Sequence, residues 1–435
     1  MSLVNDMPLT CIIAALTSIA AIPEIGAAAS VLAAPETNDL ARHLADELKY
    51  DNLAKMRTAG LERAQLHQQP WSGWYWPLNE GGLAFRYGDP GFPSGADWPT
   101  ISNYLLKNIG KGPASVFSPA EKYDLLLGDK NFTLTRSMIR TAGDHAVGGA
   151  IEAWLGFCTG WANASMMLPR PVRSVIVTAR DGKTKIEFLP SDIKALGALL
   201  WANGFAPARV VGNVCGESPV RRDPVSGRAL DIACRDTNPA TFHLSMTNQV
   251  GFKGRSMLID SDSGYQIWNQ PVTSYSYSYF DPETGLPASF EDAVTPLKAF
   301  KTDPFKGLRA PGAKYVVGVE THLTFVYETR PNLSETDSPA ADELRYPIYK
   351  YDLELDSAGR IIGGEWRTRL HPDVLWVAVP GSRPATKGDS LVNPADRWDP
   401  EKMLPASWAA AAKESESYDQ PLGVIVDTLF AWASE

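Results

Sequence analysis

Residues 235–268 run RDTNPATFHLSMTNQVGFKGRSMLIDSDSGYQIW, and the secondary structure given to this stretch decides the architecture around it. Phe242, Leu244 and Met246 alternate with His243, Ser245 and Thr247, which is the two-residue period of a strand with one buried face. Gly251-Phe252-Lys253-Gly254 follows as a four-residue hairpin connection into a second strand that carries Asp260 and Asp262. With those four residues as the loop, His243 faces Asp262 directly and Asp260 diagonally, and diagonal partners on one sheet face lie roughly 7–8 Å apart. A slip of one residue would carry both carboxylates to the other face, so the pairing depends on the loop.

Upstream, WLGFCTGWANASMMLP (154–169) contains a short helix, WANASMML, ended by Pro169, with Cys158 at or just before its N-terminus. Unpaired N–H groups and the helix dipole favour an anion there, which turns a thiol into a nucleophile. The plainer reading is a buried, inert thiol, since free cysteine is among the most buried residue types. A Cys at a helix start, then a His on a strand and an Asp on the next, is the order of a papain-like thiol site. The carboxylate orients the imidazole, the imidazole holds Cys158 as thiolate, and the thiolate attacks a carbonyl carbon. Backbone donors near Cys158, with the indole or backbone of Trp154, are candidates for holding the oxyanion. In IDSDSG, Asp260 and Asp262 offer hard oxygen ligands for calcium, but the spacing is not that of an EF-hand, and an acidic turn is the default.

The 435 residues suffice for two or three domains, and 44% apolar with 21% charged residues is ordinary globular composition. A net charge of −9 and the lack of a long basic stripe exclude nucleic acid as a partner. There is no G-x-S-x-G elbow, zinc-binding H-E-x-x-H, P-loop or dinucleotide fingerprint. The apolar run Leu9–Ile22, followed by small residues to Ala34, resembles a secretory signal and is too short for stable membrane insertion. It predicts a secreted or extracellular protein, periplasmic in a bacterium. MSLVNDMP before it has no Lys or Arg, which leaves an ordinary buried helix as the alternative. Removal of this segment leaves Cys158, Cys215 and Cys234. The last two flank a polar loop and form the natural disulfide pair, with Cys158 free.

The predicted class is α+β, with helices leading and strands dominating from about Ser174. Ser118-Pro119-Ala120-Glu121 is a capping box with proline at the first helical position. A hairpin is expected around Asp181-Gly182, a helix over SDIKALGALLWANG, strands at KYVVGVETHLTFVYET and YKYDLELDSAGRIIGGEW, and a last helix at PLGVIVDTLFAWA. The organisation this suggests is a signal segment at 1–34, a helical and Trp-rich region at 35–140, a catalytic core at 141–380 and a C-terminal extension at 381–435.

WYWPLNEGGLAFRY, SPAEKYDLLLG, WLGFCTGWANASM, DIKAL, RDTNPATFH, LIDSDSGYQIWNQPV and LELDSAGRIIGGEW, in order from about Trp71 to Trp366, resemble the oomycete-type transglutaminase elicitor family. WNQPV (268–272) is the most specific of them. The resemblance implies a papain-like core, secretion, dependence on calcium, and an acyltransferase that joins glutamine to lysine side chains of protein substrates through a Cys thioester. By motif position it places the nucleophile on Cys158, the histidine on His243 and the acid on Asp260, with Asp192 in reserve; Asn269 is a minor alternative as the imidazole's orienter. A papain-like cysteine peptidase or glutamine deamidase shares the first half-reaction. An inactive surface or effector protein binding through the Trp- and Tyr-rich segments is the reading from another class.

Overall fold

A computed structural model describes residues 40–215, 219–262 and 264–435; the expected signal segment lies outside them. The framework is an eleven-stranded sheet. Its main strands are β1 (Ala208–Gly212), β2 (Leu258–Asp260), β3 (Asn269–Phe280), β4 (Tyr315–Tyr327), β5 (Ile348–Leu355), β6 (Ile361–Trp366) and β7 (Val374–Ala378). They lie in the order β6-β5-β4-β3-β2-β7-β1, all neighbours antiparallel. The helices of eight residues or more are α1 (Trp98–Asn108), α2 (Pro119–Leu127), α3 (Thr133–Asp144), α4 (Cys158–Met167), α5 (Pro190–Asn203), α6 (Pro239–Met246), α7 (Ala406–Glu416) and α8 (Gly423–Ser434).

Two apolar cores sit on opposite faces of this sheet, as the strand alternation shows. Leu258, Trp376 and Ala378 join the core containing Cys158, Trp161 and the long helices, whereas Ile259, Leu375 and Val377 join the other, with Phe242, Tyr277 and Tyr351. Successive strand residues point to opposite faces, so the sheet is the wall between the two. The first core draws in Trp71 and Trp76 from the Trp-rich segment and Leu429 and Phe430 from α8. Along β3 the Ser-Tyr alternation is that of a strand, with Tyr275, Tyr277 and Tyr279 buried in the second core and Ser276 and Ser278 exposed.

The strand expected at His243 is a helix. Asn238 caps α6 by accepting from the Ala240 N–H, Pro239 occupies the first turn, and every residue from Pro239 to Met246 is buried. A helix buried all round can carry any polar pattern, so the alternation at 242–247 had no directional meaning. The turn expected at 251–254 is also absent: the chain continues as π-helix over Thr247–Phe252, with Gly251 against the Tyr275 hydroxyl. The capping box at Ser118 and Glu121, the hairpin Val175–Thr178/Lys185–Phe188, helices α5 and α8 and the Cys215–Cys234 disulfide form as expected.

Helix α4 crosses α5 at very short range because Gly160 rests on the Ala198 carbonyl oxygen, where a Cβ would overlap it. A Gly160→Ala variant is expected to lose about 2–3 kcal/mol of stability, measured by urea denaturation; an unchanged midpoint would show that the crossing can relax.

Candidate active site

The turn before α4 is fixed by backbone. Phe157 N–H donates to the Tyr75 carbonyl (2.6 Å) and Leu78 N–H to the Leu155 carbonyl (2.8 Å), and Gly156 packs so closely that a Cβ would meet the Tyr75 oxygen at 2.5 Å. Cys158 is therefore presented as the first helical residue, only 1% exposed. Its Sγ lies 3.5 Å from the Ile267 carbonyl and accepts from Asn269 Nδ2 at 3.3 Å, and the same amide reaches Thr159 Oγ1 at 3.2 Å.

Asp260 stands directly opposite Asn269 in the β2–β3 ladder. Residues opposite one another in an antiparallel pair project to the same face, so the Asp260 carboxyl shares the Cys158 side of the sheet. Its Oδ1 accepts from Trp268 N–H (2.8 Å) and Asp262 N–H (3.2 Å), while Oδ2 has no hydrogen-bond partner among the described residues. Burial, with smaller contributions from Cys158 and Asp262, pushes this carboxyl up to about 8. Near neutral pH it is poised between acid and carboxylate, the range in which a general acid or base works best. Tyr75 and Trp268 meet edge to face at 5.3 Å beside this pair, and Trp154 meets Tyr265 at 6.0 Å.

The structure brings Cys158 and Asp260 together and sets His243 elsewhere. His243 is fully buried on α6, its Nδ1 2.9 Å from the Tyr351 hydroxyl and its ring 4.7 Å from that of Tyr277. Both tyrosines belong to the far core, so the sheet stands between this imidazole and the thiol. Burial pulls its pKa down to about 3, and the ring is neutral. Asp262 turns to the Gly264 N–H. Asp192 is a buried structural carboxylate, paired with Lys122 Nζ (2.6 Å) and the Tyr87 hydroxyl (2.9 Å). The Trp154 indole N–H is engaged by Glu152. Asn269, a minor candidate in the sequence, is the side chain that touches the thiol. Asp373, Asp236 and His371 were missed, because nothing in their spacing marks them before the strands are paired.

The protonation of the buried acids fixes the sign of a pH effect. Asp260 is raised to about 8 and Asp373, by burial and the neighbouring Asp260 and Asp236, to about 10, against about 4 for an unfolded Asp. Between those values the folded chain holds protons that the unfolded chain has released, so their contribution to stability falls as pH rises. The melting temperature is expected to be lower at pH 8.5 than at pH 5.5, and Asp373→Asn to flatten the dependence; a melting temperature that rises over this range would contradict the assignment.

The transglutaminase elicitor family model matches residues 129–392, more than half of the chain. No curated protein matches the sequence. Among solved structures, the crystal structure of the GP42 transglutaminase from Phytophthora sojae is similar at a TM-score of 0.50 and 21% identity, over 82% of this chain and 92% of that one; at that identity the likeness is one of fold. With residues 129–392 inside the family model, the chain belongs to the transglutaminase elicitor family.

Proposed function

We propose that the protein is a secreted protein-glutamine γ-glutamyltransferase with Cys158 as nucleophile. The observation that carries this reading is the grouping of Cys158 at the start of α4 with the Asn269 amide and the Asp260 carboxyl on one side of β2 and β3. The papain-like relation then lies in the thiol-bearing helix set against antiparallel strands, with the acid on a strand and no imidazole next to it.

In this reading the Asp260 carboxylate takes the thiol proton and the thiolate attacks the side-chain amide carbon of a glutamine. The Asn269 N–H and first-turn backbone N–H groups of α4 steady the oxyanion. Asp260 returns its proton to the departing nitrogen, which leaves as ammonia. The amine of a lysine then attacks the thioester carbon and gives up a proton to the Asp260 carboxylate, the C–S bond breaks, and the isopeptide product leaves Cys158 as thiolate, which recovers that proton from Asp260. Because only ionised Asp260 is a base, the rate should climb as pH approaches about 8.

Cys158 is covered by Ile267 and its neighbours, so a substrate must displace part of that cover. Exclusion of water at a covered thioester favours amine over hydrolysis. The Cys215–Cys234 disulfide supports an oxidising, extracellular location, and among the described residues no helix is long and apolar enough to cross a membrane. For the calcium implied by the family, Asp124, Asp129 and Glu416 offer a chemically suitable set. Their ligand oxygens lie within 4.8 Å of one another, and Glu416 Oε1 has no hydrogen-bond partner among the described residues. An ion there would clamp α2 to α7 by neutralising these carboxylates.

Incorporation of a fluorescent primary amine into a glutamine-rich protein tests the reading. We expect calcium-dependent incorporation by wild type, its abolition in Cys158→Ala, and a loss of about 100-fold in Asp260→Asn. Incorporation that survives Cys158→Ala would refute the mechanism. New peptide termini, or ammonia release without incorporation, would select the peptidase or the deamidase; no thiol-dependent reaction at all would leave the binding protein.

A further inference from the structure

A line of buried acids leads away from Asp260, and the chemistry above uses none of the others. Leu375 of β7 lies opposite Ile259 of β2, which sets Asp373, just before β7, beside the end of β2 where Asp260 sits. Thr237 Oγ1 donates to the Asp373 carbonyl at 2.8 Å, bringing its neighbour Asp236 to the same place. Asp236 has a left-handed backbone (φ +61°), a conformation uncommon outside glycine but one that Asp tolerates better than most side chains. Its Oδ2 is 2.8 Å from His371 Nε2.

The imidazole is held from both sides. His371 Nδ1–H donates to the Thr368 carbonyl at 2.9 Å, and the ring stacks on Trp366 with centroids 4.6 Å apart and planes within 10°. His371, Asp236 and Trp366 line a cavity of about 170 Å³, so this end of the line opens into free volume. Between the two ends, Asp260 Oδ2, both carboxylate oxygens of Asp373 and Asp236 Oδ1 have no hydrogen-bond partner among the described residues. Burial, with the neighbouring Asp260 and Asp236, pushes the Asp373 carboxyl up to about 10, so it carries a proton near neutral pH.

We propose that Asp373, Asp236 and His371 form a proton path from the Cys158–Asp260 pair to the cavity, with His371 exchanging the proton there. The proposal rests on the assignment of Asp260 as the acid beside the thiol. A proton taken from Sγ by Asp260 is passed to Asp373, then to Asp236, and reaches His371 Nε2, while Nδ1 keeps its bond to Thr368. The reverse transfer supplies Asp260 with the proton that leaves on ammonia, so no oxidant or further reactant is needed. A histidine suits the end of such a path because imidazole can take up a proton at one ring nitrogen while the other keeps its hydrogen bond. Asp373, Asp236 and His371 are positioning residues, since they act through Asp260. The plainer role is a strut, with the Asp236–His371 pair bracing the segment after the disulfide loop.

Two readouts separate the path from the strut. The first is ammonia release from a glutamine peptide by His371→Ala, whose truncated side chain leaves room for free imidazole. We expect turnover to fall at least about tenfold and to recover with added imidazole. Unimpaired turnover, or a folded variant that imidazole does not restore, would overturn the path. Where His371→Ala does not fold, His371→Gln should show the same loss. The second is the pH midpoint of Cys158 alkylation by iodoacetamide, which requires no transferase activity. Asp373→Asn is expected to move it down by about one pH unit, and a midpoint unchanged from wild type would overturn the coupling. If wild type releases no ammonia while this shift is present, the transferase reading fails and the acid coupling stands.

Discussion

The site depends on how closely α4 lies against α5 and the start of β3. Gly160 on the Ala198 carbonyl lets the two helices meet backbone to backbone, and Gly156 lets the preceding turn lie on Tyr75. Only then does Cys158 emerge at the first helical position with its sulfur within reach of Asn269. The neighbours of the thiol follow from that placement: Asp260 is carried to it by ladder register, because it stands opposite Asn269, and the Ile267 carbonyl closes over the sulfur from the segment that joins the two strands. A methyl group at either glycine would move the helix by more than a hydrogen bond tolerates.

The sheet also separates chemistry from packing. On the Cys158 side, Asp260 at the end of β2 is buried with one oxygen left unpaired among the described residues, an expensive arrangement that stability alone would not favour. On the other side, polar groups sit within an aromatic core that leaves His243 Nε2, Ser245 Oγ and the Tyr277 hydroxyl without a hydrogen-bond partner among the described residues. His243 and Thr321 both lie in hydrogen-bonding range of the Tyr351 hydroxyl, and Phe242 meets Tyr349 and Tyr351 edge to face. The histidine there is held neutral by burial and bonded through Nδ1 alone among the described residues. The ground for proposing reactivity at Cys158 is the contact of its sulfur with the Asn269 amide and the register that sets Asp260 opposite Asn269.

Much of this was legible in the sequence. The free thiol at a helix start, the Cys215–Cys234 pair, the capping box at Ser118 and the long strands each rest on local signals that tertiary packing had no reason to override. The failure at 241–254 has a definite cause. Asn238-Pro239 is a helix start, a cap followed by proline, and it outweighs an alternation that means nothing when all sides of a segment are buried. With that strand gone, the inferred pairing of His243 with Asp262 and Asp260 disappears as well. Asp260 reaches the thiol all the same, through a different partner strand. Asp373, Asp236 and His371 were illegible for another reason: they come together only through the pairing of β2 with β7 and the bond from Thr237 to Asp373, and no one-dimensional pattern encodes those contacts.

We propose that Asp260 beside the thiol, and not the imidazole across the sheet, governs Cys158. The pH dependence of Cys158 alkylation in wild type, Asp260→Asn and His243→Gln tests it most directly. A titration near pH 8 is expected in wild type, retained in His243→Gln and lost in Asp260→Asn. Loss of that titration in His243→Gln with its retention in Asp260→Asn would instead return the imidazole to the active site.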